Sequence, residues 1–490
     1  MAGIRQQDVD TALDRAERRF NKCWCYLTAI KAGKFSKDKL DPLVEFQPIL
    51  ASALFDLSKV HAQIAKERKA RISDKRRYAP SWFKARMSFL SRQQERLVEA
   101  LQIGRSIGDA YAFFFYQKEV QFLAQQVREP KPGVMSTGIG GIGELQAAKN
   151  MRLLGGYFLV HHCVTSMLRL GDVTLIDLHG FKVVGIGELK SHSDQAGHVV
   201  VSMSILGEGS GIDLHQGMPE PVPEAPLFNV VDQLTKAAKD RLKRQMDRIQ
   251  KSHVEARKKP DSLASIESEN RVVAMQRLLR RAPAGRVAYA VSGRSLALFA
   301  YRLASQPLSK RLRNMGKPAR KMMRGLEDLP NKVQEILVPG RLDNAVLLSW
   351  FFYRQDGHFH YLPGMTHPFW WPLSPDALKP VVFRQMIVGT AYNPAWLFQA
   401  LEGAGFNVDS TDPRNAKISR RQGDALFQSE GTSFYIRAIQ DYLMDEGVIV
   451  KMLALVFEST VDDAGKVPKR VDLILRQEFG RPDEKDVEPG

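Results

Sequence analysis

Residues 171 to 190, "GDVTLIDLHGFKVVGIGELK", constrain this chain more than any other stretch. Two apolar runs, 173–176 and 183–186, flank a short break containing Gly180. Val and Ile suit the pleated surface of a sheet, and so short a break permits only an antiparallel return. A three-residue turn, His179-Gly180-Phe181, would pair Leu178 with Lys182. That register places Asp172 opposite Glu188. Opposed residues in such a ladder share a face, roughly 4.5–5.5 Å apart. Lys190, two residues further out, lies on the same face. With Val184 and Ile186 below them, the ladder is apolar at its base and charged at its mouth.

Two adjacent carboxylates repel unless a cation lies between them, and oxygen donors suit Mg²⁺ or Mn²⁺. The Lys190 amine can reach a phosphate or a metal-bound water. Asp177 is excluded as a ligand: it lies five residues from Asp172, roughly 17 Å along the strand, and on the other face. Gly185 and Gly187 occupy the face away from Glu188 and allow another element to approach closely.

Upstream, "GELQAAKNMRLL" reads as a helix stopped at Gly155-Gly156, and "YFLVHHCV" as a strand; "HVVVSMSIL" adds another downstream. The order is a helix with Glu144, a strand, a strand with Asp172, and a strand with Glu188-Leu189-Lys190. It resembles the PD-(D/E)xK nuclease superfamily over roughly residues 140 to 300. The resemblance implies a restriction-endonuclease-like mixed sheet flanked by helices. It implies Mg²⁺ (or Mn²⁺) held by Asp172 and Glu188 with help from the Leu189 carbonyl. Lys190 would orient or deprotonate a water, and Glu144 would assist the metal. The implied activity is phosphodiester hydrolysis in DNA, in a setting of bacterial defence against foreign DNA. One position departs from the pattern: Gly171, not Pro, precedes Asp172.

At 490 residues the chain calls for several domains, a multidomain α/β protein overall. Residues 1–130 read as helical, with Val9, Leu13, Phe20, Trp24 and Leu27 at near-helical intervals. "REPKPGVMSTGIGG" breaks that pattern near 130. The nuclease-like region then runs over 131–328, with a basic helix from Asn229 and a further strand at "RVAYAVSG". An α+β region covers 329–478, with strands at "GVIVKMLALVFEST" and "KRVDLILRQEF" and a hairpin at Asp356-Gly357. Residues 479–490 read as a disordered tail.

The net charge is +17, and 231–330 alone carries 24 Lys or Arg against 9 Asp or Glu, a net of +15. A smaller cluster, "KERKARISDKRR", spans 66–77. Such an excess favours a polyanion, with nucleic acid ahead of an anionic membrane. By position, Gln233, Lys243 and Arg244 are the expected nucleic-acid contacts. Three cysteines leave no disulfide framework. The lack of a long apolar run or leader gives a cytoplasmic expectation. There is no G-x-x-x-x-G-K-[ST] loop, so ATP use would fall to a sensor or ATPase partner. Many nucleases of this kind pair with a second copy of themselves. "GIGGIG" at 138–143 lacks a preceding strand and reads as a hinge rather than a dinucleotide site. His161, His162 and Cys163 read as core or site lining. The trio His358, His360 and His367 lacks an assisting Glu for zinc. The competing class is a nuclease-like module that binds nucleic acid or protein without cutting.

Overall fold

The computed structural model describes residues 3–33, 41–117, 119, 122–123, 125–126, 134–154, 156–193, 198–207, 240, 243–245, 247–251, 254, 262–267, 271–314, 347–351, 373–412, 415–422, 425–429, 432–462 and 471–476. Gln233, the histidines at 358, 360 and 367, the 356–357 hairpin turn and the tail lie outside them. The chain forms two compact units, residues 1–258 with 306–314, and 259–305 with 315–490. These divisions differ from the boundaries at 130 and 328, because the N-terminal helices and the Asp172 sheet share one core. No helix among the described residues is long and apolar enough to cross a membrane.

In the first unit, three long helices pack together: α1 (Gln6–Lys31), α2 (Asp41–Ser73) and α3 (Pro80–Tyr116). Val9, Leu13, Phe20, Trp24 and Leu27 are all buried, as their spacing requires. Helix α4 (Ile139–Asn150) leads into five strands: β1 (Leu153–Leu154), β2 (Tyr157–His161), β3 (Val173–Asp177), β4 (Lys182–Ser193) and β5 (Val199–Gly207). They form a sheet in the order β1-β2-β3-β4-β5, antiparallel at every pairing. The mixed sheet expected from the sequence is therefore not what these residues build. Each connection described is short, and a short connection returns the chain antiparallel.

Helices tie directly to this sheet. Gln47 of α2 donates to the Leu159 carbonyl (2.7 Å) and accepts from His161 N (2.7 Å). Tyr116 of α3 hydrogen-bonds Thr174 (2.7 Å), which also meets His162 Nε2 (2.7 Å). Asp109, buried on α3, accepts from Ser166 N, Ser166 Oγ and Met167 N at 2.6, 2.6 and 2.9 Å. Burial raises its carboxyl to about 6 against the pull of those donors. Asp109→Ala would leave the donors without a partner, and we expect it to cost about 3 kcal/mol or more, read as a lowered urea midpoint.

The second unit begins with β6 (Ser262–Glu267), α5 (Val272–Arg281), β7 (Val287–Ser292) and β8 (Leu296–Arg302). It continues through β9 (Leu347–Phe351), α6 (Pro375–Val382), β10 (Met386–Tyr392) and α7 (Ala395–Gly403). Strands β11 (Asn407–Asp409), β12 (Lys417–Gln422) and β13 (Ala425–Ser429) follow, then α8 (Ser433–Tyr442), α9 (Glu446–Asp462) and β14 (Val471–Arg476). One sheet runs β7-β8-β10-β9, and β14 pairs with β6 in parallel. The strand expected at "RVAYAVSG" forms as β7 but belongs to this sheet, not to that of Asp172. "GVIVKMLALVFEST" is helical, within α9, and not a strand. Its buried Val448, Ile449, Leu453 and Phe457 follow a helical repeat that continuous apolar letters conceal.

Candidate active site

The β3–β4 hairpin reaches the expected outer register by a different route. Asp177 pairs with Lys182, so four residues, 178–181, form the loop, with Phe181 at φ 51°. The register shifts between Leu175 and Ile176, leaving Val184 as a bulge. Beyond it, Leu175 pairs with Gly185, Thr174 with Ile186 and Val173 with Gly187. The recorded pairing ends there, one residue short of Asp172 and Glu188. The longer loop and the bulge cancel. Asp177 stays at the far end, where its Oδ1 accepts from His179 N (2.9 Å).

Asp172 is held from three directions. Its N–H donates to the Gly187 carbonyl and its carbonyl accepts from His162 N, both at 2.8 Å. Its Oδ2 accepts from Leu189 N at 2.7 Å. Gly171, before it, has φ +76°, and a Cβ there would lie 2.7 Å from Ile186 Cγ2. Proline, with φ fixed near −65°, cannot adopt that backbone.

Glu188 is buried, and its Oε1 accepts from Lys190 Nζ at 3.0 Å. Lys190 also donates to Gln245 Oε1 at 2.9 Å. Gln245 belongs to helical turns at 243–245 and 247–251, and Ile249 anchors them by packing on Leu170 and Ile186. Lys243 and Arg244 lie exposed immediately before Gln245. Their side chains lie in solvent, one and two residues before the partner of the Lys190 amine.

Glu144 arrives on α4. The helix packs closely on β4: a Cβ at Gly143 would fall 1.8 Å from Ser191 Oγ. The "GIGGIG" run is accordingly part of α4, not a hinge before it. Ala147 of the same helix packs with Val173 and Leu189 on the face away from Glu188.

Electrostatics bind these groups into one cluster. Burial, then the charges of Glu188 and Glu144, lift the Asp172 carboxyl to about 7, against the Leu189 N–H and Lys190. Burial also raises Glu144, with Glu188 adding to the rise and Arg105 opposing it. Cys163 sits in the same field, its thiol raised by burial and by Glu144 and Asp172. His161 is the last residue of β2. His162 opens a 3₁₀ turn, and burial lowers the two imidazoles to about 4 and about 3. Both are neutral core residues, His161 bonded to the Met151 carbonyl and His162 to the Gly171 carbonyl.

No family model, curated protein or solved structure matches this chain. A functional reading therefore rests on the site itself. Asp172, Glu188 and Lys190 meet at the outer end of the β3–β4 ladder, and Glu144, on the helix packed against the opposite face, acts on Asp172 through its charge; Lys243 and Arg244 precede Gln245 in the chain, and Gln233 lies outside the described residues. Gln245 bonds Lys190 and the charge of Arg105 acts on Glu144, neither of which the sequence leads one to expect. A charged Arg105 four residues before Asp109, within an otherwise apolar helix face, is the available signal for one of them.

The donor set fits a hard divalent ion in a limited sense. Among the described residues no group of three or more His, Cys, Asp or Glu could hold a metal by itself. Asp172 and Glu188 offer two carboxylates, and Mg²⁺ is commonly held by one or two, with waters and substrate phosphates completing its shell. A cation there would relieve the crowding that lifts Asp172.

Proposed function

We propose that this chain is a Mg²⁺-dependent nuclease whose active site is Asp172, Glu188, Lys190 and Glu144. The observation that carries the reading is the placement of Asp172, fixed by the Leu189 N–H, and buried Glu188, paired with the Lys190 amine, at the outer end of the β3–β4 ladder. Buried carboxylates are costly even when paired, and such costs concentrate at functional sites. Support for nucleic acid as substrate comes from the exposed Lys243 and Arg244 and from the charge of the 231–330 stretch. DNA is preferred on the resemblance alone, and so are the restriction-endonuclease-like fold and a role in defence.

When bound, the metal would supply Lewis-acid stabilisation of the phosphoryl oxygens and a more acidic water. Asp172 and Glu188 would hold it, with the Leu189 carbonyl as the further donor that the resemblance implies. The Leu189 N–H fixes one oxygen of Asp172, so this carboxylate is already oriented. Lys190 is positioned between Glu188 and Gln245. From there its ammonium can orient the attacking water and neutralise charge developing on phosphorus. In the hydrolysis, the water oxygen bonds to phosphorus as the ester P–O bond breaks. The leaving oxygen takes up a proton.

A second reading is a binding module without catalysis. It is favoured by the present engagement of Glu188 with Lys190 and of Asp172 with Leu189. Plasmid and single-stranded DNA incubated with Mg²⁺, Mn²⁺ or EDTA separate the two. The nuclease reading expects metal-dependent cleavage that Lys190→Ala reduces by about 10²-fold or more. Binding without cleavage in every metal would establish the module instead.

A further inference from the structure

A second basic surface lies at the far end of α2, remote in sequence from the carboxylate cluster. Residues 66–86 carry nine Lys or Arg against Glu67 and Asp74. They form the tip of a helical hairpin: the end of α2, a 3₁₀ turn (Lys75–Arg77), and the start of α3. Lys69, Arg76 and Lys84 are exposed, one from each of these segments, and have no ion-pair partner among the described residues. The two acids face other partners: Glu67 is engaged by Arg86 (2.7 Å) and Arg71 (3.5 Å), and Asp74 by Arg77 (3.9 Å).

Aromatic rings are set among these charges. Tyr78 and Trp82 stack at 4.7 Å between centroids, 28° apart. The Arg71 guanidinium lies over both, 5.1 and 5.6 Å from the ring centres. Trp82 is 43% exposed, and Ile72, near the end of α2, 55%. A cavity of about 620 Å³ adjoins this group, lined by Lys66, Arg71 and Tyr78 together with the paired acids Glu67 and Asp74. Cations that track phosphates, beside exposed rings on which a base can stack, are the two elements of single-strand recognition. A duplex keeps its bases stacked on each other and would use only the charges.

We propose that this helical tip is a docking surface for single-stranded nucleic acid. It shares with the nuclease reading only the class of partner. Gln47 of α2 contacts the sheet, and Ser73 lies 26 residues further along that helix, about 39 Å away at 1.5 Å per residue. The tip would therefore grip a strand well outside the carboxylate cluster.

The test is anisotropy of labelled oligo(dT) and of a duplex of equal length, in EDTA, across a salt series. Lys69→Glu/Arg76→Glu/Lys84→Glu is expected to weaken oligo(dT) binding about tenfold or more and to flatten its salt dependence by about two units of log–log slope. The corresponding Gln triple should show a smaller loss in the same direction, with circular dichroism confirming that the helices persist. Trp82→Ala should weaken oligo(dT) about 5- to 100-fold and leave the duplex nearly unchanged.

Wild-type oligo(dT) affinity in the Glu triple would overturn the proposal, as would an unaltered oligo(dT) affinity in Trp82→Ala. So would loss of binding to phosphatidylserine vesicles with DNA binding intact, which would assign the surface to a membrane. Intact binding by the tip variants with plasmid still cut would sink the tip alone. Impaired binding by those variants, with no cleavage by wild type in any metal, would sink the nuclease reading alone.

Discussion

Asp172→Asn is expected to reduce metal-dependent cleavage by about 10³-fold or more, yet to raise the melting temperature of the metal-free protein. The two effects share one cause. Asp172 holds its proton up to about 7, because burial, Glu188 and Glu144 all oppose its charge. An acid whose folded value exceeds its unfolded value, about 3.9, binds more protons when folded. Its stability contribution is therefore present at low pH and lost as pH rises from about 4 through about 7. Asn does not titrate, and its amide oxygen can still accept from Leu189 N. The variant should match wild type near pH 4 and exceed it by several degrees at pH 8, since every tenfold difference in proton affinity between the folded and unfolded chain is worth about 1.4 kcal/mol. Scanning fluorimetry in EDTA over pH 4.5–8, alongside plasmid cleavage, reads both. A variant less stable than wild type at every pH would contradict the crowding, and retained cleavage would remove Asp172 from the chemistry.

The largest effect on stability is expected in the second unit, at Arg271. This buried guanidinium pairs with Asp445 at 3.0 Å and with Glu446, and donates to the Met444 carbonyl at 3.3 Å. Glu446 also accepts from Ser295 Oγ, and its charge helps burial to raise the Tyr392 phenol. The network fixes the start of α5 to the start of α9. Arg271→Met leaves Glu446 charged and uncompensated, a loss of about 3–5 kcal/mol, or roughly 10 °C for a unit of this size. Glu446→Gln in the same chain should restore part of that loss, because it removes the stranded charge. Additive losses in the double variant would show that the two residues do not act as a pair.

The legible parts of the sequence are those where one local rule decides the outcome. The buried stripe of α1 follows from spacing, and the outer β3–β4 register follows from alternation between Asp172 and Glu188. Helix α9 reads as a strand because Val448, Ile449, Leu453 and Phe457 sit in a run so apolar that periods of 2 and 3.6 look alike. Gln245 is not legible because its role depends on Ile249 seating a distant helix against Leu170 and Ile186. The close approach of α4 is visible as glycines but not interpretable, since Ser191 lies 48 residues from Gly143. The unit boundaries escape the sequence for the same reason: contacts between distant segments set them. The segment Leu308–Arg313 joins the first unit because Leu308 N bonds Glu17 (2.8 Å) and Arg311 pairs with it (2.6 Å).

The extra residue at Val184 makes the hairpin tolerant of its own bend. A three-residue loop with no bulge and a four-residue loop with one bring identical neighbours together from Leu175 outward. A residue gained in the loop is thus offset by one left unpaired in the strand, so the surplus amino acid does not alter which neighbours meet at the outer end of the ribbon.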